Sequence, residues 1–107
     1  MNWNSKAGKM LVQATLSLDT ESDVKIFFRD LMTEGELSSF VKRLQAAQML
    51  SEKVSYTQIE KETGLSSATV ARVAKWLNSG KGGYTRILNK IHHHNNFTTP
   101  KTGRGLS

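Results

Sequence analysis

The chain has 107 residues, 37% of them apolar, and a net charge of +6, which allows one small domain with a thin core and not two. It contains no cysteine, so disulfides and thiolate metal sites are excluded and the reducing cell interior is favoured. No apolar run reaches the roughly 20 residues of a membrane span, and MNWNSKAGKMLVQATLSL lacks the continuous apolar segment of a signal peptide. The expectation is a soluble, cytoplasmic protein.

The charge is unevenly placed. Residues 1–62 hold eight Lys/Arg against all nine Asp/Glu, a net −1. From residue 63 onward there are seven Lys/Arg (Arg72, Lys75, Lys81, Arg86, Lys90, Lys101, Arg104) and no acid. One end of the chain is therefore suited to a polyanion. Lys101 and Arg104 alone could be a solubilising tail, but Arg72 to Lys90 lie in patterned segments.

In chain order, residues 1–18 show scattered apolar positions without a period and read as an N-terminal arm. Thr20 with Asp23 makes a cap, and Val24, Phe27, Phe28 and Leu31 then recur at i, i+3, i+4, i+7, the signature of a first helix. Thr33 and Glu36 form the reciprocal T-x-x-E box. Leu37, Phe40, Val41, Leu44 and Ala47 follow as the stripe of a longer second helix running toward Leu50. Ser55 and Gln58 cap a two-turn third helix that stops at Gly64, where a positive φ costs no Cβ strain. Ser66 or Ser67 caps a fourth, with Val70, Val73, Trp76 and Leu77 on one face and Gly80 at its end. After a Lys81-Gly82-Gly83 loop, Tyr84 to about His93 reads as a last helix with Ile87, Leu88 and Ile91 inward. Residues 95–107, with the only proline, read as a disordered basic tail. The fold class expected is all-α, with the folded domain over 19–94.

Two short helices joined at Gly64, with Ile59, Leu65, Val70 and Val73 apolar, have the spacing of a helix-turn-helix. Burying Val70 and Val73 leaves Ser66, Ser67, Ala68, Thr69 and Arg72 outward at the start of the second helix. These are small groups able to approach a major groove, with hydroxyls for phosphate and methyls for thymine. An ordinary antiparallel helix pair also turns at glycine; the charge asymmetry tips the balance toward DNA.

The run LMTEGELSSFVKRLQAAQMLSEKVSYTQIEKETGLSSATVARVAKWL, Leu31 to Leu77, resembles the Trp repressor family, and within it the Trp repressor-like branch labelled YerC/YecD. The resemblance implies an all-helical, intertwined dimer whose helix-turn-helices enter successive major grooves of an operator. It also implies an effector pocket. Arg43 and Arg72 match the two arginines that sandwich the indole in the tryptophan repressor, and Thr33 matches a threonine at the pocket's edge. On the residues alone, Arg43 is simply a solvated cation beside Lys42. Two departures stand out: the family's glycine after the second arginine is Val73 here, and a serine one turn later is Trp76. Val73 would narrow the pocket, and Trp76 either stacks its indole on an arginine or is plain core. On both readings free L-tryptophan is not a ligand. A further departure lies in the turn, where a helix-turn-helix would prefer a small apolar residue at Glu60 and a larger one at Thr63.

His92, His93 and His94 are consecutive, so on a helix they point about 100° apart and do not converge on a metal. No nucleophile has a partner at meaningful spacing, and there is no phosphate loop. Neither an enzyme nor a cofactor is expected. The sequence thus reads as a DNA-binding transcriptional regulator, a repressor acting as a homodimer. Ser67, Ala68, Thr69 and Ala71 would face bases, and Tyr56, Thr57, Ser66, Arg72 and Lys75 would face phosphates. The competing readings are a recombinase-type recognition module without effector and an adaptor whose basic end binds an acidic protein.

Overall fold

The structure is a computed structural model that describes the backbone of residues 1–98 and the side chains up to His92. Among the described residues it holds six helices: α1 Lys6–Leu16, α2 Glu21–Leu31, α3 Glu34–Ser51, α4 Tyr56–Thr63, α5 Ser67–Ser79 and α6 Gly83–Thr98. None is long and apolar enough to cross a membrane. The chain divides into two compact units, residues 1–38 and the residues from Ser39 on.

In the first unit the expected arm contains a helix. Ser5 caps α1 by accepting the Gly8 N–H at 3.0 Å, and its own hydroxyl donates to the Asn2 carbonyl at 2.9 Å. The turn at residues 2–5 lies so close that a Cβ on Gly8 would sit 2.6 Å from the Asn2 carbonyl oxygen. Only glycine fits there. The next helix starts as expected: Thr20 Oγ1 accepts the Asp23 N–H at 3.0 Å. The box before α3 closes in both directions, Glu36 N–H to Thr33 Oγ1 at 3.1 Å and Thr33 N–H to Glu36 Oε1 at 2.9 Å. α2 buries none of its residues. Phe27 and Phe28 lean on each other with ring centroids 5.5 Å apart, while Leu31 stays 51% exposed.

The core lies in the second unit, where Ala46, Ala47 and Met49 of α3 meet Ile59 of α4 and Val70 and Val73 of α5. Leu50, Val54, Leu65, Tyr84 and Leu88 pack around this cluster. The small Ala46–Ala47 pair is fully buried, as expected where helices approach closely. Several residues expected inward are not: Phe40 and Val41 of α3 and Ile87 and Ile91 of α6 are exposed in the single chain. α3 ends on a left-handed residue, Lys53 with φ 67°, and the Val54 N–H turns back to the Met49 carbonyl at 3.0 Å. That is the geometry of a Schellman stop with lysine where glycine is usual. α6 runs past the expected end near His93 to Thr98. Residues 95–98 of the expected tail are thus helical, while residues 99–107 and the side chains of His93 and His94 lie outside the described residues.

Candidate nucleic-acid interface

The helix-turn-helix is built from local hydrogen bonds. Ser55 Oγ accepts the Gln58 N–H at 3.2 Å and starts α4. The Gln58 side-chain amide donates to Glu62 one turn along. At the other end Gly64 takes φ 78°, ψ 4° and sends its N–H to the Glu60 carbonyl at 2.9 Å.

Thr63, an apparent departure from the motif, is buried at this turn. Its hydroxyl donates to the Ile59 carbonyl at 2.7 Å and accepts the Leu65 N–H at 3.1 Å. A buried hydroxyl with both roles satisfied carries no desolvation penalty and ties the end of α4 to the start of the turn. An apolar residue would fill the space without holding the Leu65 amide.

Ser66, rather than Ser67, caps α5. Its Oγ accepts the Thr69 N–H at 3.2 Å and shares a hydrogen bond with Thr69 Oγ1 at 3.0 Å. Beneath this turn Ile59 and Val70 are fully buried, which fixes the crossing of the two helices. Ser66, Ser67, Ala68, Ala71, Arg72 and Lys75 are exposed and Thr69 is half-buried; Tyr56 and Thr57 are exposed at the start of α4. Among the described residues the ion pair is Lys25 with Glu21, at 3.1 Å. Arg72 and Lys75 therefore have no carboxylate neutralising them. Exposed cations without an ion-pair partner, one to two turns into α5, suit an external anion.

The residues expected around an effector fall in both units, Thr33 in the first and Arg43, Arg72, Val73 and Trp76 in the second. Thr33 spends its hydroxyl on Glu36 in the first unit. Arg43 lies over the Phe40 ring, 5.7 Å from its centroid, and this is the cation–π contact among the described residues. Val73 is 3% exposed and belongs to the core of the helix pair. Among the described residues the cation–π contact is Arg43 with Phe40, not one with Trp76, and in the single chain Trp76 is 55% exposed. Trp76 instead lines an apolar recess of about 520 Å³ with Leu44, Lys81, Gly83, Tyr84 and Ile87. Three residues turn a helix by about 300°, so Trp76 is rotated from the Val73 face by about 60° and reaches the start of α6. The periodicity did not reveal this recess, whose signals were Gly80 and the left-handed Gly82 turning the chain beside Trp76.

Residues 6–92 match the family model described as Trp repressor protein. The chain belongs to the Trp repressor family. It is 41% identical over 81 residues to the uncharacterized protein YerC of Bacillus subtilis (strain 168), covering 76% of this chain and 78% of that one. It is also similar to the crystal structure of a TrpR-like protein from Eubacterium eligens ATCC 27750, with a TM-score of 0.80 and 37% identity over 84% of this chain and 93% of the other. A candidate Trp repressor from Staphylococcus aureus superimposes equally well, TM-score 0.80, at 36% identity over 86% of this chain and 95% of that one. The matched region begins at α1, so the segment that reads as an arm lies within the family domain.

Proposed function

We propose that this Trp repressor family member is a sequence-specific double-stranded DNA-binding transcriptional regulator, a cytoplasmic repressor that acts as a homodimer. The observation that carries this reading is the N-cap and first five residues of α5. The small side chains Ser66, Ser67, Ala68, Thr69 and Ala71 stand over a packed helix crossing, with Arg72 and Lys75 unneutralised behind them. Ser67, Ala68, Thr69 and Ala71 face base edges, and Tyr56, Thr57, Ser66, Arg72 and Lys75 hold phosphates.

The dimer is supported by what one chain leaves uncovered. Leu31, Phe40 and Leu44 are exposed, and Phe27 and Phe28 only half-buried, a waste of apolar surface unless a second copy covers it. Free L-tryptophan does not act as corepressor in this reading. Val73 fills space with a buried branched side chain where the resemblance places a glycine. Arg43 and Arg72 serve packing, phosphate contact or another anion.

Fluorescence anisotropy with a labelled duplex tests the proposal. Affinity should fall linearly in log[salt] while one sequence outcompetes bulk DNA. Binding that ignores salt, or that does not distinguish sequences, would defeat it.

A further inference from the structure

Among the described residues Lys53 is the non-glycine residue with a left-handed backbone, φ 67°. An L-residue is strained there by its Cβ, and the side chains enriched in that region are glycine, asparagine and aspartate rather than lysine. The end of α3 imposes the conformation: the Lys53 N–H donates to the Leu50 carbonyl and the Val54 N–H to the Met49 carbonyl, both at 3.0 Å. Glycine would make the same stop with less strain. The lysine side chain finds no partner in the fold that offsets the strain. It is exposed, and its ammonium has neither a hydrogen bond nor an ion pair among the described residues. A strained residue whose side chain the fold leaves unused points to a use outside the fold.

The place of Lys53 in the chain names that use. It stands two residues before Ser55, the cap of α4, a separation of at most about 7 Å of chain that a flexible four-carbon stem bridges. At the start of α4 the groups assigned to phosphates are Tyr56 and Thr57, both uncharged. No Lys or Arg lies between Val54 and Glu60, and Arg72 and Lys75 belong to α5. Acids do not oppose a phosphate here either. The first turn of α4 has none, and Glu62, later in the helix, is engaged by Gln58. The adjoining Glu52 is exposed and makes no ion pair with Lys53. We propose that Lys53 holds a backbone phosphate of the bound duplex beside the start of α4, as a point charge that adds affinity without choosing a base. This rests on the DNA-binding reading above and adds a residue to it. The strained lysine is kept for its charge, so fold stability and DNA affinity oppose each other at this position.

The test uses the full chain as wild type, Lys53→Gly, Lys53→Asn and Lys53→Arg, with Lys9→Gln as the same loss of one charge at an exposed position of α1. Urea unfolding is read beside fluorescence anisotropy on a duplex selected by the wild type, between about 50 and 200 mM salt. Lys53→Gly should unfold at a higher urea midpoint than the wild type and yet bind DNA several-fold more weakly at the low-salt end. Its slope of log affinity on log[salt] should be shallower by about 0.9 per half-site, so the gap to the wild type narrows by about threefold per half-site over that range. Lys53→Asn, which tolerates the left-handed backbone but has no charge, should show the same weakening. Lys53→Arg should keep the slope, and the preference for the selected duplex over competitor DNA should be the same in all variants. Unchanged affinity in Lys53→Gly and Lys53→Asn, a loss without a change of slope, or an equal loss in Lys9→Gln would overturn the assignment while leaving DNA binding intact. A changed base preference would overturn it as well. A wild type that selects no sequence would instead bring down the DNA-binding reading, and this proposal with it.

Discussion

Two left-handed residues at helix ends, Lys53 and Gly64, should respond to exchange in opposite directions. Gly64 has φ 78°, and no atom lies within 4 Å of where its Cβ would be. Gly64→Ala therefore carries no clash, only the conformational cost of an L-residue in this region, about 1–2 kcal/mol. The loss of freedom in the unfolded chain offsets about 0.4–1 kcal/mol of that. The net expectation is a destabilisation of about 1 kcal/mol. Lys53 carries the same conformational cost at φ 67°, is exposed and has no ion pair among the described residues. Lys53→Gly should relieve the cost and return part of it through chain entropy, a gain of about 0.5–1 kcal/mol. The double variant should lie within about 0.5 kcal/mol of the parent, since the sites share no hydrogen bond. Urea unfolding at one fixed chain concentration reads all four proteins, with the midpoint moving and the slope unchanged. If both single changes move stability the same way, or Gly64→Ala costs more than about 3 kcal/mol, the turns are held by something other than backbone conformation and the reasoning is refuted.

Ile59→Ala removes a fully buried side chain at the centre of the helix pair and should cost about 2–4 kcal/mol in the same assay; a cost below 1 kcal/mol would mean that the helix crossing is not packed as described. Val73→Gly, which installs the residue the family resemblance places there, should cost about 2–3 kcal/mol, from a lost buried valine and a mid-helix glycine; a neutral result would show that the valine is not core. Light scattering at micromolar concentration should give twice the chain mass, and a well-folded monomer there would contradict the dimer. Titration calorimetry with L-tryptophan should show no binding; micromolar affinity, or a tenfold gain in DNA affinity (about 1.4 kcal/mol of coupling), would show an open pocket.

The starts of α2 to α5 were legible because each is written within four residues. Thr20, Thr33, Ser55 and Ser66 all accept the amide three positions on, and a motif that local needs no tertiary information. Ile59, Val70 and Val73 were legible because their spacing and the turn at Gly64 determine one buried face. α1 was missed because Met10, Leu11 and Val12 form a block without a stripe, and all three stay exposed in the single chain. The role of Thr63 was not legible because the motif marks it only as a departure from an apolar preference, whereas its position lets it bond both sides of the turn. Trp76 eluded the reading because helical phase places a Cα, not the far end of an indole.

The central claim is that α4 and α5 present a duplex-reading surface. Its most direct test is selection of genomic DNA fragments by the purified full chain, followed by footprinting of the enriched fragments. The account predicts one enriched motif with two symmetric half-sites about one helical turn apart, both lost together when Arg72 and Lys75 are changed to alanine in a protein that still folds. Fragments no more enriched than competitor DNA, or a motif whose binding ignores those changes, would contradict it.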